Sequence, residues 1–332
     1  MEAAEKEHAC RTTRRLALGG MLASLAVRST PGQAAALALP RRITIITPYG
    51  PGSAPDFAAR TLSDLLSRVI GVPTVVENRL GASGNIGNLA VARATPDGET
   101  LLLAASPLAT NVSLFRSLGY DPLTSFEPII EASQVGFALV VNRTAGATIG
   151  EFLERARRTG TLRYGSAGIG TVLHLGMEIL RRKAGFQATH IPYRSSGEVI
   201  PDLVAGRIDA LMAPVSTAVN AARDERLVVL ASAADERLPY APDVPTFAEA
   251  GISDFRISDW QGLCAPAGTP PAMLEALNGQ LEAAIRAPGV VAHLATFGMT
   301  PVGGGRQVLR ERLVRDIPYW ASVIREIGIE PN

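Results

Sequence analysis

The sequence predicts an α/β fold of two domains, each a mostly parallel sheet flanked by helices, with a ligand cleft between them. Three observations carry this. Short apolar runs of strand length alternate with segments of helical period between Ile43 and Ala231. Several of these runs end in Gly/Pro loops that open helices. The last third reads as helices with little strand between them, so they must cover a sheet made earlier in the chain.

A chain of 332 residues, 47% hydrophobic and 19% charged, suits about two packed domains and excludes a disordered polyelectrolyte. Its 32 basic and 31 acidic residues leave a formal charge of +1, so no basic field of the kind that draws nucleic acid is present, and nucleic acid is not an expected partner. Cys10 and Cys264 are too few for a disulfide framework or a four-thiolate zinc site. His8, His174, His190 and His293 are scattered, with no HExxH and no Cys/His cluster. No metal and no cofactor is therefore expected.

Residues 1–36 read as an export signal. Arg11, Arg14 and Arg15 precede the apolar run Leu16–Val27, and small residues near Ala35/Ala36 suit a cleavage site. The run falls short of the about 20 residues a membrane span needs. Thr13-Arg14-Arg15-Leu16 also fits a twin-arginine signal, and the general and twin-arginine routes stay open. Cys10 lies before the apolar run, unlike a lipoprotein cysteine.

Ile43–Thr47 reads as a buried strand and Pro48–Ser53 as the loop leaving it. Ala58, Leu62, Leu65, Leu66 and Val69 then recur at helical spacing, and Gly71 stops that helix. Further strands are expected at Thr74–Val76, Leu101–Ala104, Phe137–Val141, Leu162–Tyr164, His190–Ile191, Ile208–Met212 and Val228–Ala231. Thr148-Ile149-Gly150-Glu151 is a capping box, and Val172–Leu180 an apolar, largely buried helix. Helices are expected at Pro270–Ile285, Val290–Phe297 and Val308–Ile327. Both ends of the chain then build one domain, 41–141 plus 260–332, and the middle, 142–259, builds the other. Two crossings near Val141 and Trp260 join them, and ligands in open α/β sheets bind where the strands' carboxyl ends face a cleft.

Three small-residue loops precede helix starts: Gly50–Asp56, Arg79–Gly87 and Gly165–Thr171. Each can present main-chain N–H groups and the positive end of a helix dipole to an anion, and each is equally an ordinary βα turn. None is a Walker loop or a full GxGxxG, so nucleotide binding is unsupported, and no GxSxG elbow marks a hydrolase serine. Asp56 either caps its helix or faces the cleft. His174 is either a wall histidine or a ligand contact, and Tyr193 and Arg194 follow a strand end that reaches a cleft. Trp260 and Trp320 read as packing anchors, and Cys264 as a buried, inert thiol.

From about Arg42 onward the chain resembles the Bug-type solute receptors of tripartite tricarboxylate transporters. The resemblance rests on Pro48-Tyr49-Gly50-Pro51-Gly52-Ser53-Ala54-Pro55-Asp56, Val76-Glu77-Asn78-Arg79 with Gly81-Ala82-Ser83-Gly84, and Tyr164-Gly165-Ser166-Ala167-Gly168. It continues through His174-Leu175, His190-Ile191-Pro192-Tyr193-Arg194, Leu203–Asp209, Pro242–Thr246 and Ala265–Pro270. It implies a type II-like periplasmic binding protein, not an enzyme, that closes on a small carboxylate and delivers it to membrane permease subunits. The receptor is expected to be periplasmic and a monomer. The resemblance assigns Tyr49, Gly50, Pro51, Gly52, Ser53 and Asp56 to one jaw and Ser166, Ala167, Gly168 and Thr171 to the other, with Ser106 between them and His174 and Tyr193 beside them. Ser53 and Ser195 stand where the family usually has glycine. Two alternatives remain at this level: an exported serine-type hydrolase using Ser106 or Ser166 with His174, and a ligand-binding accessory to a sensor kinase.

Overall fold

The computed structural model describes residues 40–331 apart from Ala167, Arg194, Ser195, Asp235, Pro239, Asp254 and Arg256. The expected export signal, and the expected site residues Ala167 and Arg194 with Ser195, lie outside the described residues. Those described belong to one compact unit.

The elements follow in chain order as β1 (Ile43–Thr47), α1 (Ala54–Ile70), β2 (Thr74–Asn78), α2 (Asn85–Ala92), β3 (Thr100–Ala105), α3 (Pro107–Leu114) and the long β4 (Phe126–Asn142). Next come α4 (Ile149–Thr159), β5 (Leu162–Ser166), α5 (Val172–Ala184), β6 (Ala188–Pro192), α6 (Ser196–Val204), β7 (Ala210–Pro214), α7 (Val215–Ala221) and β8 (Leu227–Ser232). The chain ends with β9 (Ser258–Pro266), α8 (Pro271–Ile285), α9 (Pro288–Ala295), β10 (Met299–Pro301) and α10 (Arg306–Glu326).

The strands are ordered β2-β1-β3-β9-β4-β7-β5-β6, and β10 and β8 also pair with β4. β1, β2 and β3 are parallel, as are β5, β6 and β7, so the loops leaving each set gather at one edge. β4 joins the two sets. Phe126–Gly136 pairs antiparallel with β9, while Phe137–Val141 pairs with β7 and Ala138–Asn142 with β8. One strand therefore changes partners at Gly136/Phe137, five residues before the crossing expected near Val141.

Local chemistry explains the element ends. Ser53 caps α1 by accepting from the Asp56 amide, and Gly71 ends it at φ 69°, a conformation that glycine adopts at little cost. The expected capping box forms at α4: Thr148 Oγ1 accepts from Glu151 N, although Glu151 reaches back to the Ala147 amide, not to that of Thr148. The expected strand at Ile208–Met212 begins two residues later, at Ala210. Three strands were not visible in the pattern: the first half of β4, β9 and β10. In β4 a buried Glu131 and Ser133 interrupt the apolar run, and each has a distant partner, Arg312 for Glu131 at 2.7 Å and Gln261 for Ser133 at 3.0 Å.

α8, α9 and α10 cover the first sheet as the sequence requires. Leu274, Leu277 and Leu281 of α8 and Leu309, Leu313 and Trp320 of α10 join β1, β3 and β9 in one apolar core. Burying a side chain of this kind contributes about 1.5–3 kcal/mol. Trp260 is fully buried, and its indole N–H donates to Asp316 on α10 at 3.0 Å. Cys264 is buried, and burial pushes its thiol up to about 12, so it stays protonated and unreactive.

Candidate functional site

The first glycine loop leaves β1 and is organised around Asp56. The carboxylate accepts from Gly52 N at 2.9 Å, from Asn78 Nδ2 at 2.8 Å and from the Arg60 guanidinium at 3.0 Å. Burial works against its charge, but these hydrogen bonds outweigh it and hold its pKa below the ordinary value. Asp56 therefore braces the loop. The Ser53 hydroxyl is likewise occupied as the α1 cap, and Ser53 N donates to Gly50 O. Asn78 Nδ2 also donates to Tyr49 O at 2.9 Å. Gly52 has φ 78°, which only glycine adopts readily, and this turns its N–H inward to Asp56.

Beneath this loop lies a polar network that sequence reasoning missed. Asn111 on α3 donates to Ser83 O and to Asn85 Oδ1, both at 2.9 Å, and the Tyr120 hydroxyl donates to Asn85 Oδ1 at 2.7 Å. Asn85, Asn88 and Asn111 are all buried. Ser106, at the end of β3, is fully buried and gives both its main-chain N–H and its hydroxyl to Asp259 Oδ1, at 3.2 and 2.5 Å. Burial raises the Asp259 carboxyl to about 6 in spite of these bonds. Tyr49 reaches the same region: burial first, then the charges of Asp259 and Tyr120, push its phenol well above the usual range.

The second glycine loop leaves β5. The Ser166 hydroxyl stands 3.0 Å from Gly168 O and 2.7 Å from His190 Nε2, and Thr171 Oγ1 donates to Gly168 O at 2.8 Å. Gly170 N donates to His174 Nδ1 at 3.1 Å, which fixes the proton of a neutral His174 on Nε2. The His174 and His190 rings stack at 4.0 Å, and Tyr164 stacks on His190 at 5.0 Å. Burial, and then the His190 charge, lower His174 to about 4, so both groups stay neutral at ordinary pH; burial also lowers His190. His174 Nδ1 thus ties Gly170 to α5 and shapes the loop. Thr171 caps α5, and the dipole of that 13-residue helix points from this loop.

A methyl group placed on Gly170 would stand 3.0 Å from Leu114 Cδ1, so the loop after β5 abuts the helix after β3. Tyr193 lies less openly than expected: its ring packs over Gly165 and its hydroxyl donates to Asp202 at 2.7 Å, pointing to α6. The hydrolase pairing is not formed. Ser106 is bonded to Asp259 and Ser166 to His190, because His174 Nδ1 is already taken by Gly170. Among the described residues no group of three His, Cys, Asp or Glu side chains could hold a metal ion, and no helix is long and apolar enough to cross a membrane.

A cavity of about 800 Å³ lies elsewhere, lined by Gln134, Gly136, Ser258, Arg312, Arg315 and Trp320 among others, with none of the expected site residues. Its arginines are paired, Arg312 with Glu131, Arg315 with Asp316 and Arg237 with Glu249, so it offers poor recognition of an acid.

Comparison with known proteins gives the family and the fold. Residues 58–329 match the model of the tripartite tricarboxylate transporter family receptor. The chain is 34% identical over 292 residues to protein BugT of Bordetella pertussis, covering 87% of this chain and 90% of that one. Among solved structures it is similar to the periplasmic binding protein BugD (28% identity, TM-score 0.75, 89% of this chain and 100% of that one). Rpa4515 of R. palustris with adipate gives 29% identity and TM-score 0.78 over 88% and 99% of the two chains. MatC of Rhodopseudomonas palustris with bound malate gives 29% and 0.72 over 86% and 99%. These relatives are solute-binding receptors, not enzymes, and their fold is the periplasmic binding protein fold. The chain belongs to the Bug-type receptors of the tripartite tricarboxylate transporter family.

Proposed function

We propose that this protein is a periplasmic receptor that captures a small carboxylate between two closing halves and delivers it to the membrane permease subunits of a tripartite transporter. The contact of Gly170, in the second glycine loop, with Leu114, at the C-terminal end of the helix that follows β3, carries the reading, because it brings chain from both parallel strand sets together. Relatives of the same fold hold adipate and malate, both small carboxylates, which supports the ligand class.

In this reading 41–141 plus 260–332 form one half and 142–259 the other, and the receptor acts as a monomer after cleavage near Ala35/Ala36. The jaws are Tyr49, Gly50, Pro51, Gly52, Ser53 and Asp56 on one side and Ser166, Ala167, Gly168 and Thr171 on the other, with Ser106, His174 and Tyr193 supporting them. The roles divide by what is already occupied. Asp56, Ser53 and the Gly52 amide hold the first loop in shape, so its outward surface is chiefly Pro51 and main chain. On the second loop the first-turn amides of α5, Val172 and Leu173, add the positive end of a helix dipole. Closure binds the ligand by favouring the form in which both loops touch it.

A thermal-shift screen against mono-, di- and tricarboxylates tests the reading. A ligand at 100 times its Kd adds about 2.7 kcal/mol of stability, so a saturable rise in Tm with one acid is expected. No rise with any acid contradicts it.

A further inference from the structure

β9 enters the sheet at Ser258, and successive side chains on a strand point to opposite faces. Ser258 lines the 800 Å³ cavity, so Asp259 faces the other way, where Ser106 and Tyr49 lie. Asp259 as a residue is not fully buried, although its partner Ser106 is. Both Ser106 donors go to Oδ1, and Gln261, whose Nε2 donates to the Asp259 main-chain oxygen at 3.1 Å, also favours the charged form. Ser106 thus pins one oxygen at the foot of the first glycine loop and makes no use of Oδ2.

An ionised carboxylate is an acceptor only. A ligand whose polar atoms are all acceptors would repel it and strip its water without replacing the lost hydrogen bonds, which is costly in a closed cleft. A ligand with its own donor would satisfy it. We propose that Asp259 is a specificity-determining residue that selects, among small carboxylates, those bearing a hydroxyl or ammonium donor on the carbon chain. The proposal rests on the receptor reading of the two glycine loops.

Titration calorimetry of the full chain with two matched series tests it: succinate, malate and aspartate, and glutarate, 2-hydroxyglutarate and glutamate. The wild type is expected to bind a donor-bearing acid at least about tenfold tighter than its plain counterpart. Asp259→Asn keeps an oxygen for both Ser106 donors but removes the charge, and is expected to erase most of that preference. A larger gain with the amino acids assigns an ammonium, and a larger gain with the hydroxy acids a hydroxyl. Equal binding of plain and donor-bearing acids by the wild type overturns the inference whether or not the variant folds, and so does a preference unchanged in Asp259→Asn. Both results leave the receptor reading standing. Silence from all six acids with a thermal shift from some other plain acid overturns the inference alone; silence throughout overturns both.

Discussion

Gly170, in the loop after β5, meets Leu114 at the end of α3: a Cβ on Gly170 would lie 3.0 Å from Leu114 Cδ1, with Gly170 at φ 78°. Glycine is required twice over, by its backbone conformation and by the neighbouring methyl. Gly170→Ala is expected to cost about 1–2 kcal/mol in urea unfolding and to weaken carboxylate binding by pushing the second glycine loop off α3. Leu114→Ala in the same chain relieves the clash but not the backbone strain, so it is expected to restore binding more than stability. Wild-type behaviour of Gly170→Ala would show that the loop after β5 does not press on α3 at this point.

Asp259 makes stability depend on pH in an unusual direction. Its carboxyl rises from about 3.8 to about 6 on folding, so between these values the folded chain holds a proton that the unfolded chain has released. Its contribution is fully present below pH 4 and is lost as pH rises through 6. The stability of wild type relative to Asp259→Asn is expected to fall by about 3 kcal/mol over that range. A flat difference between the two proteins would contradict an Asp259 carboxyl that folding raises.

Asp56 has the opposite sign. Its pKa is depressed, so the stability it contributes is present above pH 4 and disappears as pH falls through its lower folded value. Asp56→Ala frees the Gly52 amide and the Asn78 side chain from their acceptor and is expected to cost about 2 kcal/mol at pH 7. Guanidinium or urea unfolding at pH 7 and pH 3 checks this, and the gap between the proteins is expected to narrow at the lower pH.

Trp260→Phe removes the indole N–H that Asp316 accepts in the core. Leaving that carboxylate oxygen without its partner is expected to cost about 1–3 kcal/mol, read from the urea midpoint. A change below about 0.5 kcal/mol would mean that solvent replaces the bond.

The parallel strands and the helices were legible because their apolar residues are spaced by local rules: Ile43, Ile45 and Ile46 in β1, or Leu62, Leu65 and Leu66 in α1, need no distant information. The glycine loops were legible as loops. Their inner bonding was not, since a sequence does not show that Asp56 takes the Gly52 amide or that His174 takes that of Gly170. Asp259 was hidden for a related reason. Its partner Ser106 lies 153 positions away, and Ser258-Asp259-Trp260-Gln261 lacks the apolar run that marks a buried strand. The buried Glu131 likewise makes sense only with Arg312, 181 positions on. Long-range polar pairing is invisible to periodicity, and in this protein it builds the centre of the candidate site.

The proposed grip of one acid by two loops from opposite halves is read directly by hydrogen–deuterium exchange, which follows both loops at once. With the acid that gives the largest thermal shift at saturation, slowed exchange is expected in peptides covering residues 48–56 and 165–174 together. Protection of only one segment, or of neither while the acid is bound, would contradict it.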